Sequence, residues 1–335
     1  AEATYLNAIQ DFPEQTQLRL LLSNLYAAQK KNDLAERAIL DAIDADPKSP
    51  NLRYWLARFY AAVKEPAKAE KTLQEVIAAQ PDDPEPHVIL GSFHASMGEN
   101  EKALAEYRQA RDLAPKEESY RILVAANLLA SSEIEKARAE IDALLAENPK
   151  SVQGTYVRGR IRLAEKEYVG AKDDFTRTVN EQPSNPEAHF FLGLTNELME
   201  NRKEAEAEFN EAIRLRPKYP EARYALGEIQ FSNGDYDQVV ETVSEALEEN
   251  EDDPRGRLLV SRAYVVLRRW KDARRELERV LAKEPENSHA HLQLAVVEQN
   301  EGREAEAARE FQTAFDKAKS DKDKRLALAA LATWR

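Results

Sequence analysis

Apolar residues in this chain recur at helical spacing, and they do so in blocks that repeat every 34 residues. The stretch at 185–217, NPEAHFFLGLTNELMENRKEAEAEFNEAIRLRP, shows one block, with Gly193, Ala205, Phe209, Ala212 and Pro217 at its marked positions. With Pro186 as position 1, position 8 is small along the whole chain, from Ser23, Ala57 and Gly91 to Gly227, Ser261 and Ala295. Position 20 is Ala at 35, 69, 103, 137, 171, 205, 273 and 307, and Val239 in the remaining block. Position 24 is apolar throughout, from Ile39 and Leu73 to Leu277 and Phe311. Position 32 is Pro at 47, 81, 115, 149, 183, 217 and 285, and fails only at Glu251 and Lys319.

The spacing predicts nine units of two helices each, beginning at residues 16, 50, 84, 118, 152, 186, 220, 254 and 288 with no insertion. Small residues at positions 8 and 20 let two antiparallel helices approach closely, toward the lower end of about 8–10 Å, with position 24 packing across them. The Pro at position 32 ends the second helix. Pro50, Pro84, Pro186, Pro220 or Pro254 then opens the next, where a missing N–H costs little. Gly98, Gly234 and Gly302 fall at the turn inside a unit, which suits a left-handed C-cap.

This signature resembles the tetratricopeptide repeat (TPR) family over essentially the whole chain. The resemblance implies an all-α, right-handed α-solenoid (superhelix) of nine 34-residue helix-turn-helix units plus a half unit at each end, as a single domain over 1–335. Residues 1–15 match a second helix, with Ala1, Tyr5, Ala8 and Pro13 in register, and 322–335 match a lone first helix. Solenoids usually finish in a polar cap, whereas Leu326, Leu328, Ala329, Leu331 and Trp334 are apolar. The chain is therefore expected to be a fragment of a longer protein. Its apolar ends give a further expectation, a homo-oligomer built head to tail.

Composition narrows the function. A formal charge of -13 disfavours nucleic acid and anionic membrane surfaces as partners. No apolar run approaches the roughly 20 residues of a spanning helix, so no direct membrane insertion is expected. There is no cysteine, which removes disulfides, thiolate catalysis and cysteine-ligated zinc without fixing a compartment. His87, His189 and His291 all occupy position 4 of separated units, and no pair has the i, i+4 spacing of a helical zinc site. They read as packing residues. With no phosphate-binding loop and no nucleophile motif, no catalytic residue, metal or cofactor is expected, and the chain reads as a non-enzyme.

In the family the first helices line a concave groove, with positions 2, 5, 9 and 12 facing it, and this implies a protein or extended peptide as partner. The candidate contacts are Asn24, Tyr54, Arg58, Tyr156, Arg160, Phe190, Tyr224 and Arg262. Tyr54 with Arg58, and Tyr156 with Arg160, are i, i+4 pairs of residue types enriched in binding hot spots. Trp55 and Phe191, one position further on, are expected to be buried between helices. Two known groove chemistries of the family are not matched. Leu20, Val88 and Ser92 break its carboxylate clamp, and Leu21, Trp55 and Ile89 break the Asn ladder of its glycosyltransferase arms. The ungapped repeats with Arg or His at position 4, as in YVRGRIRLAEKEYVGA, resemble bacterial cell-envelope TPR proteins, including those tied to exopolysaccharide export. An alternative function is the regulatory arm of an enzyme whose catalytic domain lies outside the chain.

Two departures from the pattern remain. The unit at 220–253 ends in EALEENEDDP, and the next is rich in Arg, a juxtaposition that reads mainly as compensating surface charge. In the unit at 152–185, apolar slots hold Thr155, Arg158 and Arg162, for which Asp173 and Asp174 are candidate partners.

Overall fold

The computed structural model describes residues 1–248 and 250–334, apart from the side chains of Leu331, Thr333 and Trp334. The expectation of apolar ends therefore lies outside the described residues at Leu331 and Trp334, while Leu326 and Leu328 are exposed. Every regular element among the described residues is an α-helix, and the chain is an all-α solenoid of repeated helix pairs. It divides into two compact units, 1–161 and 162 onward.

The first unit contains α1 (Glu2–Asp11), α2 (Thr16–Ala28), α3 (Asn32–Ala45), α4 (Pro50–Ala62), α5 (Pro66–Ala79), α6 (Glu85–Ser96), α7 (Asn100–Leu113), α8 (Glu118–Ala130), α9 (Ile134–Glu147) and most of α10 (Val152–Ala164). The second contains the end of α10, then α11 (Tyr168–Glu181), α12 (Pro186–Leu198), α13 (Arg202–Leu215), α14 (Pro220–Asn233), α15 (Tyr236–Leu247), α16 (Pro254–Val266), α17 (Trp270–Lys283), α18 (Ser288–Asn300), α19 (Glu304–Lys317) and α20 (Asp321–Trp334). Even-numbered helices from α2 to α18 are first helices of a pair, and odd-numbered ones from α3 to α19 are second helices.

The core follows from the repeat. All the position-20 residues, from Ala35 to Ala307 and including Val239, have no exposed surface. The position-24 side chains, such as Ile39, Phe175, Phe209 and Leu277, are buried beside them. Position 8 is small because position 24 occupies its space. A Cβ on Gly193 would lie 2.7 Å from the Phe209 ring, and one on Gly91 would lie 2.7 Å from the Tyr107 ring. Each pair of helices is therefore set by one small residue accepting one large one.

The turn inside each pair is equally regular. Position 15 has a positive φ in every pair, at Lys30, Lys64, Gly98, Ser132, Lys166, Glu200, Gly234, Arg268 and Gly302. The following N–H reaches back to the position-11 carbonyl, as in Glu65→Tyr60 and Arg269→Tyr264 at 2.8 Å. The position-15 N–H donates to position 12, as in Lys30→Ala27 at 2.9 Å. These are the two bonds of a Schellman motif, which satisfies the last carbonyls of the first helix. The sequence marked only the three glycines; six residues with side chains accept the same backbone state. None of the described helices is long and apolar enough to cross a membrane.

This turn yields a prediction. Glu200→Gly should raise the free energy of unfolding by about 1 kcal/mol, because the left-handed penalty disappears. Gly234→Ala should lower it by about 1 kcal/mol. Urea unfolding followed by helical circular dichroism measures both, and shifts of the opposite sign would contradict the assignment.

Candidate functional site

A solenoid of this kind displays its first helices side by side, so residues 34 apart form rows along one face. In the first unit position 9 contributes Asn24, Arg58 and Ser92, while position 12 contributes Ala27, Ala61 and Ala95. The short alanine side chains leave room. Between α4 and α6 lies a hollow of about 390 Å³, lined by Tyr54, Ala57, Arg58, Ala61, Leu73, Val88, Ile89, Ser92, Phe93 and Ser96. A second hollow of about 620 Å³ shares Tyr54, Arg58 and Ile89 with it and extends past Trp55 to Gln17, Leu20 and Asn51.

Within this face Asn24 and Arg58 are exposed and Tyr54 is half-buried. Burial pushes the Tyr54 phenol up to about 12, helped by the negative charges of Asp83 and Glu85. Tyr54 and Arg58 line the same two hollows, and the Arg58 guanidinium lies over the Trp55 ring, 5.8 Å from its centroid. Trp55 is correspondingly half-buried and lines the larger hollow instead of disappearing between helices. Further along the same unit, Arg160 lies 6.0 Å from the Tyr156 centroid, and both are half-buried. Their i, i+4 spacing puts the two side chains on one helical face.

In the second unit three candidates are already engaged. Phe190 is half-buried in an aromatic cluster, 5.3 Å from Phe191, 5.9 Å from Phe209 and 5.3 Å from Tyr219 between ring centroids. Phe191 is half-buried as well and stacks on Phe175 at 5.7 Å. Tyr224 departs from the expected groove position: it is only 8% exposed. Its ring fills the space left by Gly256, where a Cβ would come within 2.8 Å. Burial first, and then the charge of Asp253, raise its phenol to about 12. Arg262 is accessible but donates to both carboxylate oxygens of Glu228, at 2.9 and 3.1 Å, and lies 4.2 Å from the Phe231 centroid.

The position-4 residues join helices. His87, His189 and His291 each place Nδ1 2.6 Å from the Glu at position 23, namely Glu106, Glu208 and Glu310. His189 and His291 also place Nε2 against the Pro183 and Pro285 carbonyls, at 3.1 and 2.9 Å. Arg19, Arg53 and Arg223 make the same contact, to Pro13, Pro47 and Pro217. Position 4 therefore straps the turn between pairs to the next first helix. Among the described residues, no three His, Asp or Glu side chains gather in a way that would hold a metal.

The sequence departures resolve in the same terms. Arg162 donates to Asp174 at 2.8 Å and to the Gly170 carbonyl at 3.2 Å, which satisfies a carboxylate only 4% exposed. Thr155, fully buried, returns its hydroxyl to the Ser151 carbonyl at 2.8 Å. At the charged junction, Arg255 pairs with Asp253 and Lys283 with Asp252. Arg257 is buried against Glu276 with its Nε unpartnered. Glu251 stands where other units carry the position-32 proline.

That buried pair gives a second prediction. Glu276→Ala should cost about 3 kcal/mol, because Arg257 is left charged and unpaired. Arg257→Met combined with Glu276→Leu should recover most of the loss. Thermal and urea unfolding of the two variants check this, and a Glu276→Ala protein as stable as wild type would contradict it.

Comparison with known proteins agrees with the geometry. One family model described as tetratricopeptide repeat matches residues 1–50, 125–186 and 261–322. Others of the same description match 37–90 with 198–263, and 84–117. No curated protein matches the sequence. Among solved structures, the chain is similar to one from the APC/C heterotetramer Cut9–Hcn1, with TM-score 0.62 at 13% identity over 94% of this chain and 76% of that one. It is also similar to a tetratricopeptide repeat protein from Parabacteroides merdae, with TM-score 0.52 at 16% identity over 74% and 98% of the two chains. Yeast Tom70 gives TM-score 0.51 at 15% identity over 99% and 91%. At these identities the likeness concerns the fold.

Proposed function

The chain belongs to the tetratricopeptide repeat family, and from that premise we propose that it is a non-catalytic scaffold holding a protein or an extended peptide on its first-helix face. One observation carries the reading. The adjoining hollows around Tyr54 and Arg58 are lined by apolar and aromatic side chains together with an exposed guanidinium, the combination that anchors protein interfaces. Burial of Trp55, Ile89 and Phe93 is incomplete in the free chain, so a partner gains by covering them. Tyr156 and Arg160 extend the proposed contact set along the first unit. Asn24, Phe190 and Arg262 are secondary members, and Tyr224 is left out because its ring is packed inside.

The resemblance to bacterial envelope TPR proteins supports placing the scaffold in an envelope or polysaccharide-export assembly. The net charge of -13 weighs against nucleic acid as the partner.

The test is retention of a partner from fractionated source extract by the wild-type chain and by a Tyr54→Ala, Arg58→Glu variant. Both proteins should show the same helical content and melting temperature. The expected result is a protein retained by wild type and lost by the variant. Equal retention by the two would place binding elsewhere.

A further inference from the structure

Resting on the reading just given, we infer that the Tyr54–Arg58 hollow takes an internal segment of a partner chain in which a single side-chain carboxylate lies next to a bulky apolar side chain. The charge pattern points there first. The chain carries 61 Asp and Glu against 48 Lys and Arg, yet among the described residues lining the two hollows the one charged side chain is Arg58. No described carboxylate forms an ion pair with it. Arg262, the position-9 arginine of the second unit, is by contrast already held by both oxygens of Glu228.

The geometry of Arg58 suits a carboxylate. Its guanidinium lies over the Trp55 ring, 5.8 Å from the centroid, and a guanidinium's planar fork of N–H donors matches a two-pronged carboxylate. Beside it, Leu73, Val88, Ile89 and Phe93 line the smaller hollow. A large apolar side chain seated there is removed from water against these walls. The two hollows share Tyr54, Arg58 and Ile89, so Arg58 borders both. A chain that occupies both hollows continues on either side of Arg58, which favours a side-chain carboxylate over a terminal one.

Several features limit the segment to one carboxylate. Asn24 and Ser92, on either side of Arg58 in the position-9 row, are uncharged. Asp83 and Glu85 add their negative charge at Tyr54. The overall charge of -13 repels an acidic run.

The test is selection of random peptides displayed between two fixed linkers, so that neither terminus is free. The baits are the wild-type chain, Arg58→Gln and Ala61→Trp, each first shown to unfold like wild type. Ala61 lines the smaller hollow, and Trp there fills it. The expected wild-type enrichment is a single Asp or Glu adjacent to a bulky apolar residue. With Arg58→Gln the acidic preference should vanish while the apolar one persists, and an enriched peptide should bind about tenfold more weakly. Ala61→Trp should enrich neither.

Wild-type enrichment of apolar or basic peptides without a carboxylate, lost on Ala61→Trp, would overturn this inference and leave the scaffold reading standing. Stronger enrichment from a library with free C-termini would also overturn it, in favour of a terminal carboxylate. The same peptides enriched by wild type and Ala61→Trp, or none enriched by wild type, would overturn the inference and count against the first-helix face as the binding site.

Discussion

The structure depends on one contact, the seating of a large position-24 side chain against a small position-8 residue and a fully buried position-20 alanine. Where Gly193 meets Phe209, the fit leaves no space for even one added carbon. Close packing of that kind fixes the separation of the two helices of a pair. At Tyr54 and Arg58 the short side chains of Ala57 and Ala61 line the smaller hollow. The proposed binding face thus rests on the core, one layer removed.

Two polar devices carry the regularity from pair to pair. The Schellman turn closes each first helix with a left-handed residue, and the position-4 strap ties the preceding turn to the next helix. Both use local contacts, as expected of a fold whose parts touch only their neighbours. The strap also explains why His and Arg alternate at one position. Either side chain can reach a carbonyl on one side and, in several units, a carboxylate on the other. Arg257, at position 4, keeps an orphaned Nε, and the unit before it carries Glu251 in place of the position-32 proline.

The 34-residue period made the fold legible, because each marked position has a single packing duty that residue size reveals. Turn conformation was legible only at Gly98, Gly234 and Gly302, since Lys30 or Glu200 gives no sign of a positive φ. The site was harder. Position number places a side chain on the first-helix face but says nothing about what its neighbour leaves open. Tyr224 faces Gly256 and sinks into that gap, whereas Tyr54 does not. Arg58 lies over Trp55, one residue on from Tyr54, a difference in register that spacing alone does not decide. The apolar wall of Val88, Ile89 and Phe93 went unmarked because apolar residues on a helix ordinarily signal core. The run of Ala27, Ala61 and Ala95 at position 12 was the available clue that space remained beside them.

Function in this architecture rests on which side of the helix pairs meets the partner. Photo-crosslinking separates the two sides directly, with a benzophenone amino acid placed at Ser92 on the first-helix face or at Lys71, exposed on α5. Exposed to partner-containing extract and light, the Ser92 position should yield a covalent adduct and the Lys71 position none. Adducts from Lys71 alone would contradict the account and move the interface to the second helices.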